Sequence, residues 1–131
     1  MTRVQRILIQ RGVALSSTPA ILEAQSPDRP AADERTLLAM HPSFLQRYRT
    51  QRERMDARGG DWYFKPDWLE RALAYDLAFY RAGGLLTAGP DPGLHNLPGF
   101  GDQRNFELFV EAGFEPEEAV QVMTSNGAKS L

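Results

Sequence analysis

Apolar positions along the chain fall into short blocks whose spacing switches between that of a helix and that of a buried strand. From Arg3 to Arg11, Val4, Ile7 and Leu8 share one helical face, and Gly12 is a natural C-terminal stop. Val13 to Thr18 reads as a short strand ended by Pro19. A helix, a glycine and then an apolar strand is the rhythm of an α/β protein. Ile21 to Ala32 is rich in Pro, Ser and Asp, which predicts a loop. Asp33 to Met40 predicts a helix, and His41-Pro42-Ser43 opens a second one with Pro42 in its first turn. Phe44, Leu45 and Tyr48 supply the apolar face of that second helix, which Gly59-Gly60 ends.

Lys65-Pro66-Asp67 opens the clearest helix: Trp68, Leu69, Ala72, Leu73, Leu77 and Tyr80 recur at helical spacing, and Gly83-Gly84 closes it. Leu85 to Ala88 is a short, almost wholly apolar run, the pattern of a buried parallel strand. A loop rich in Gly and Pro follows, from Gly89 to Gly101. Asp102 then fits as the cap of a helix holding Phe106, Leu108, Phe109 and Val110 and ending at Gly113. Glu115-Pro116 starts another helix through Ala119, Val120 and Met123, which Ser125-Asn126-Gly127 interrupts before one more turn from Ala128 to Leu131. The order suits two strand-helix units of a parallel sheet or barrel, helix-rich and without internal repeats.

A chain of 131 residues can bury a core of its own, and 42% hydrophobic against 24% charged residues fits a globular protein. A formal net charge of -2 argues against nucleic acid and against an acidic membrane surface as partners. No apolar run approaches the length of a bilayer crossing, and Met1-Thr2-Arg3-Val4 lacks the apolar core of a signal peptide, so a soluble chain is expected. With no cysteine, disulfides, thiolate catalysis and Cys-ligated zinc are excluded. The only histidines are His41 and His95, few for a hydrolytic metal site.

Three motifs in order carry a family resemblance. Arg81-Ala82-Gly83-Gly84-Leu85-Leu86-Thr87-Ala88-Gly89-Pro90-Asp91-Pro92 resembles the eighth strand of the amidohydrolase superfamily, with Pro90 where the family's Gly-Thr-Asp has Thr. Phe109-Val110-Glu111-Ala112-Gly113-Phe114-Glu115-Pro116-Glu117-Glu118-Ala119 and Met123-Thr124-Ser125-Asn126-Gly127-Ala128 are similar to its helices beyond that strand. The nearest branch is the imidazolonepropionase-like and Xaa-Pro-dipeptidase-like group. Ile7 to Pro19 looks more weakly like the helix and strand seven of the same family. The resemblance implies that residues 1–131 are the C-terminal part of a (β/α)8 barrel, with strand seven near 13–18 and strand eight near 85–89. It implies hydrolysis of amide or other carbon-nitrogen bonds, with divalent metal, zinc in the parent enzymes, polarising the carbonyl and activating water. It places Asp91 as metal ligand and catalytic base, and His95 on the substrate side of the same loop.

Of the family's ligand set only Asp91 maps onto this chain. There is no His-x-His, and a full barrel needs roughly 250 residues. The isolated chain is therefore expected to be inactive by itself, and whether it holds metal stays open. Its expected partners are a small-molecule or peptide-like substrate of the parent enzyme, and a second copy or complementing chain. The competing reading is a non-catalytic α/β binding or assembly domain of the same descent. Residue by residue, plainer roles compete: Pro90-Asp91-Pro92-Gly93 is good turn chemistry, and His95 reads also as an exposed loop histidine. Asp102 and Asn105 read as loop polar groups facing substrate, with the N-cap the simpler role for Asp102. The arginines between Arg47 and Arg58, interleaved with Glu53 and Asp56, make a solvated helix face. Trp62, Tyr63, Phe64 and Trp68 read as core packing at the start of their helix.

Overall fold

The computed structural model describes residues 1–29, 32–61, 63–93, 97 and 99–130. Helix α1 (Arg3–Gln10) leads into strand β1 (Leu15–Ser17), followed by α2 (Pro19–Ala24), α3 (Glu34–Ala39) and α4 (Pro42–Arg58). A 3-10 turn at Gly59–Asp61 precedes α5 (Trp68–Arg81), which leads into β2 (Leu86–Ala88). Helices α6 (Phe100–Glu111), α7 (Pro116–Met123) and α8 (Ser125–Lys129) complete the order. The fold is α/β and rich in helix. Among the described residues its sheet has two parallel strands, with Leu15 opposite Leu86, Ser16 opposite Thr87 and Ser17 opposite Ala88.

Both strands are entered through the same helix ending. Gly83 (φ 87) donates its N–H to the Tyr80 carbonyl at 2.9 Å, and Gly84 donates to Phe79 at 3.0 Å. Gly12 (φ 63) and Val13 bond back to Ile9 and Leu8 in the same way. This paired bonding satisfies the last helical carbonyls and needs a left-handed residue, which glycine adopts without a Cβ penalty. The chain then turns directly into an extended strand, as the spacing of Gly12 and Gly83 predicts. Each strand is shorter than the apolar run that marks it.

Register decides which strand residues meet the helices. Leu15, Leu86 and Ala88 pack on the core formed by Leu69, Leu73 and Phe79 of α5, Leu108 and Phe109 of α6, and Ala119 and Val122 of α7. On the opposite face of β1, Ser16 is exposed. The outer edge of β2 is covered instead: buried Asn126 of α8 donates its amide to the Leu86 carbonyl at 3.0 Å.

Four expectations change. The segment predicted as a loop from Ile21 begins inside α2, which starts at Pro19 and runs to Ala24. Helix α1 buries Gln5 at 1% exposure, while Val4 and Ile7 stand 59% and 43% exposed. The Gln5 amide donates to the Tyr75 carbonyl of α5 at 2.9 Å, so a hydrogen bond rather than the apolar stripe sets the rotation of α1. Tyr63 and Trp68 are 75% and 39% exposed and meet Phe64 edge to face, forming a surface cluster rather than core; Trp62 lies outside the described residues. The interruption after α7 falls at Thr124, and α8 already begins at Ser125.

The excursion between α2 and α5 is held by polar contacts. His41 caps α4 through Nδ1, which accepts from Ser43 N–H at 3.3 Å. Tyr48 accepts from Ala32 N–H at 2.7 Å, and Gln51 donates to Gln25 at 2.8 Å. Tyr48 and Met55 are the buried residues of α4, and most of its remaining surface faces water, in keeping with its charge pattern.

Candidate functional site at the strand ends

Parallel strands deliver their following loops to one end of the sheet, where α/β active sites form. At that end β1 passes through Ser17 and Thr18 into α2, and β2 passes through Gly89 and Pro90 to Asp91. Gly89 N–H donates to the Ser17 carbonyl at 3.1 Å, so the pairing runs one residue beyond β2.

Asp91 lies where the sequence predicts it, in the loop beyond the C-terminal end of β2, and it is exposed. Its φ is 44°, and among the described residues it is the one non-glycine in the left-handed region. A residue before proline favours extended conformations, so Pro92 adds to the cost. Such a backbone is strained by about 1–3 kcal/mol and persists where its surroundings over-determine it. Aspartate bears this better than most side chains, glycine better still, and a β-branched residue worst. Asp91→Gly is therefore expected to be more stable than Asp91→Val by about 1–2 kcal/mol in urea unfolding. Equal midpoints would show that the loop does not hold this conformation.

His95 lies outside the described residues. Among the described residues no group of three or more His, Cys, Asp or Glu is placed to hold a metal ion. The donors among the described residues thus do not by themselves make a complete metal centre: Asp91 supplies a single carboxylate. A groove of about 720 Å³ runs along α5 over Leu69, Leu73, Leu77 and Ala78, between Arg29 and Arg81, and Asp91 is not part of its wall.

Two buried polar residues stand closer to the strand ends than the sequence suggests. Asn105 lies within α6, not in a loop; it is fully buried, with both ends of its amide bonded. Asp102 sits in the first turn of α6 and not at its cap; its Oδ2 accepts from Gly99 N–H at 3.2 Å. Asp76 of α5 is 6% exposed, and its Oδ2 accepts from the Ser17 hydroxyl at 2.5 Å. Burial pushes the Asp76 carboxyl up to about 6, against the lowering effect of the Ser17 bond. A polar residue inside an apolar helical stripe is the signal that would have found Asp76, between Leu73 and Phe79.

The Asp76 shift has a definite sign. The folded protein holds a proton that the unfolded chain has already released between pH 3.8 and about 6. Its contribution to stability is complete below 3.8 and is lost as pH rises through about 6. The loss amounts to about 2–3 kcal/mol. Asp76→Asn, which still accepts from Ser17, is expected to match the original protein near pH 4 and exceed it at pH 8. Thermal unfolding of both across that range checks this; a constant difference would remove the assignment.

A charge network joins α2 and α6 beside this end of the sheet. Glu23, 8% exposed, takes two bonds from Arg104, at 2.7 and 2.8 Å, and one from Arg29 at 2.9 Å. Arg29 reaches Glu111 at 2.8 Å, and Arg104 reaches Glu107 at 2.6 Å. These groups satisfy one another and are structural.

No helix among the described residues is long and apolar enough to cross a membrane. Comparison of the chain with models of known protein families, with curated proteins and with solved structures finds no match to it.

Proposed function

We propose that this chain is the C-terminal portion of a metal-dependent hydrolase of amide or other carbon-nitrogen bonds, and that β1 and β2 are strands seven and eight of its (β/α)8 barrel. One observation carries the reading: the two strands are adjacent and parallel, and Asp91 follows the C-terminal end of the second. A carboxylate there, open to water, suits the work of a base toward an attacking water. His95, four positions on in the sequence, is proposed to face the substrate. The other ligands of such a site belong to the remaining strands of the barrel, in the same protein or in a complementing chain. Exposed surface supports missing neighbours: Ser16 is exposed on the face of β1 turned away from the core, and Val4 and Ile7 of α1 and Val13 before β1 are 59%, 43% and 45% exposed.

The DNA upstream of the Met1 codon tests this directly. A frame encoding strands one to six with a His-x-His pair is expected, and its absence counts heavily against the reading. Joined to that segment, the chain is expected to hydrolyse a small-molecule or peptide-like substrate at an amide or other carbon-nitrogen bond, and Asp91→Asn to abolish turnover while leaving the fold intact. Undiminished turnover in Asp91→Asn would overturn the role given to Asp91. The alternative, a non-catalytic binding or assembly domain, is favoured by the exposed, single carboxylate; stoichiometric zinc on the purified chain would remove it.

A further inference from the structure

Asn105 touches both segments that leave the sheet. Its Oδ1 accepts from Ala20 N–H, in the first turn of α2, at 2.8 Å. Its Nδ2 donates to the carbonyl of Gly89, just beyond β2, at 2.9 Å. Asn105 is 0% exposed; its bond to Ala20 is buried and its bond to Gly89 partly so. A primary amide offers an acceptor and a donor on one short planar group, which this bridge requires. The backbone of Gly89 is thereby held on both sides: its N–H bonds to Ser17 of β1, and its carbonyl is bound by α6. Next door, Arg104 ties α6 to α2 through Glu23 and keeps the two helices in place. Beyond Gly89 the backbone enters the left-handed conformation at Asp91, which needs such restraint to persist.

We propose that Asn105 is a positioning residue. It clamps the Gly89–Asp91 segment to the first turn of α2, so that the Asp91 carboxylate is presented from a preset backbone. Its relevance to catalysis rests on the reading of Asp91 given above, but the clamp is measurable without substrate.

Two variants separate its two bonds. Asn105→Asp keeps the acceptor toward Ala20 and, read at a pH where its carboxyl 13C shift shows it ionised, sets a charge against the Gly89 carbonyl. Asn105→Ala removes both bonds. Backbone 15N order parameters of the whole chain are read at Gly89, Asp91 and Gly93, at Leu22 and Glu23 of α2, and at Ala119 and Val122 of α7 as reference. In Asn105→Asp the Gly89–Gly93 amides are expected to fall from about 0.85 to below about 0.6, with α2 and α7 unchanged. In Asn105→Ala α2 loosens as well. Unchanged loop values in Asn105→Asp, or equal loosening in α7, would overturn the clamp.

The original protein supplies a test that survives misfolding of either variant. The Asn105 side-chain amide protons are expected to exchange with solvent on the order of 10-fold or more slower than those of a free asparagine amide. Exchange at the free rate would also overturn the proposal. An intact clamp in a protein whose turnover ignores Asp91→Asn would remove the hydrolase reading and leave the clamp standing.

Discussion

Glu23→Ala is expected to cost about 2–4 kcal/mol of folding stability at neutral pH. The carboxylate is 8% exposed and is the meeting point of two guanidinium groups, Arg104 and Arg29. Its removal leaves both cations partly buried with only Glu107 and Glu111 to answer them. Losing one partner of a fully buried pair costs about 3–5 kcal/mol. Here the Arg104 and Arg29 side chains are 33% and 25% exposed, so water screens part of that penalty. Burial alone would push the Glu23 carboxyl up; the hydrogen bonds and charge of Arg104 and Arg29 outweigh it and hold it below its usual 4.5. Its contribution is therefore present above pH 4.5 and is lost as pH falls through the lower folded value. Urea unfolding of Glu23→Ala and Glu23→Leu/Arg104→Leu at pH 7 measures the effect. The double replacement is expected to recover part of the loss, because it leaves one fewer buried charge unpaired. A loss below about 1 kcal/mol in Glu23→Ala would place the network among ordinary surface pairs.

That network also explains why α2 is not legible in the sequence. Six residues are too few for local propensity to stabilise a helix, and Pro19–Ala24 shows no stripe. What holds it lies far away in the chain: Asn105, 85 positions from Ala20, and Arg104, 81 positions from Glu23. The rotation of α1 is hidden for the same reason, since Gln5 is drawn inward by a carbonyl of α5. By contrast, Gly12, Gly83, Pro42 and Pro116 act through backbone geometry within one turn, and at each of them the chain turns as the sequence predicts. The candidate site divides along the same line. The place of Asp91 beyond a strand is a local property and could be read. The carboxyl of Asp76 against Ser17, and the bridge made by Asn105, exist only once distant elements pack together.

Phe79→Ala is expected to cost about 3–5 kcal/mol, as truncation of a buried aromatic ring typically does. Phe79 is 0% exposed and belongs to the cluster that joins α5 to β2, α6 and α7. Its ring occupies the space a side chain would need at Gly84: a Cβ placed there would stand 2.5 Å from two ring carbons. Gly84 is thus kept free of a side chain by contact rather than by its backbone angles, unlike the neighbouring Gly83. Gly84→Ala should therefore force the ring aside and cost about 1–3 kcal/mol. The two residues fill one volume, so their replacements should not add. In a Phe79→Leu background the smaller side chain leaves room, and Gly84→Ala should cost at least about 1 kcal/mol less than in the original protein. Urea midpoints of the four proteins, with slopes checked for two-state unfolding, give the coupling directly. Strict additivity would mean that the ring has another place to go. A coupling of the expected sign would show that this packing contact acts together with the left-handed turn at Gly83 to shape the ending of α5, from which β2 leads to Asp91.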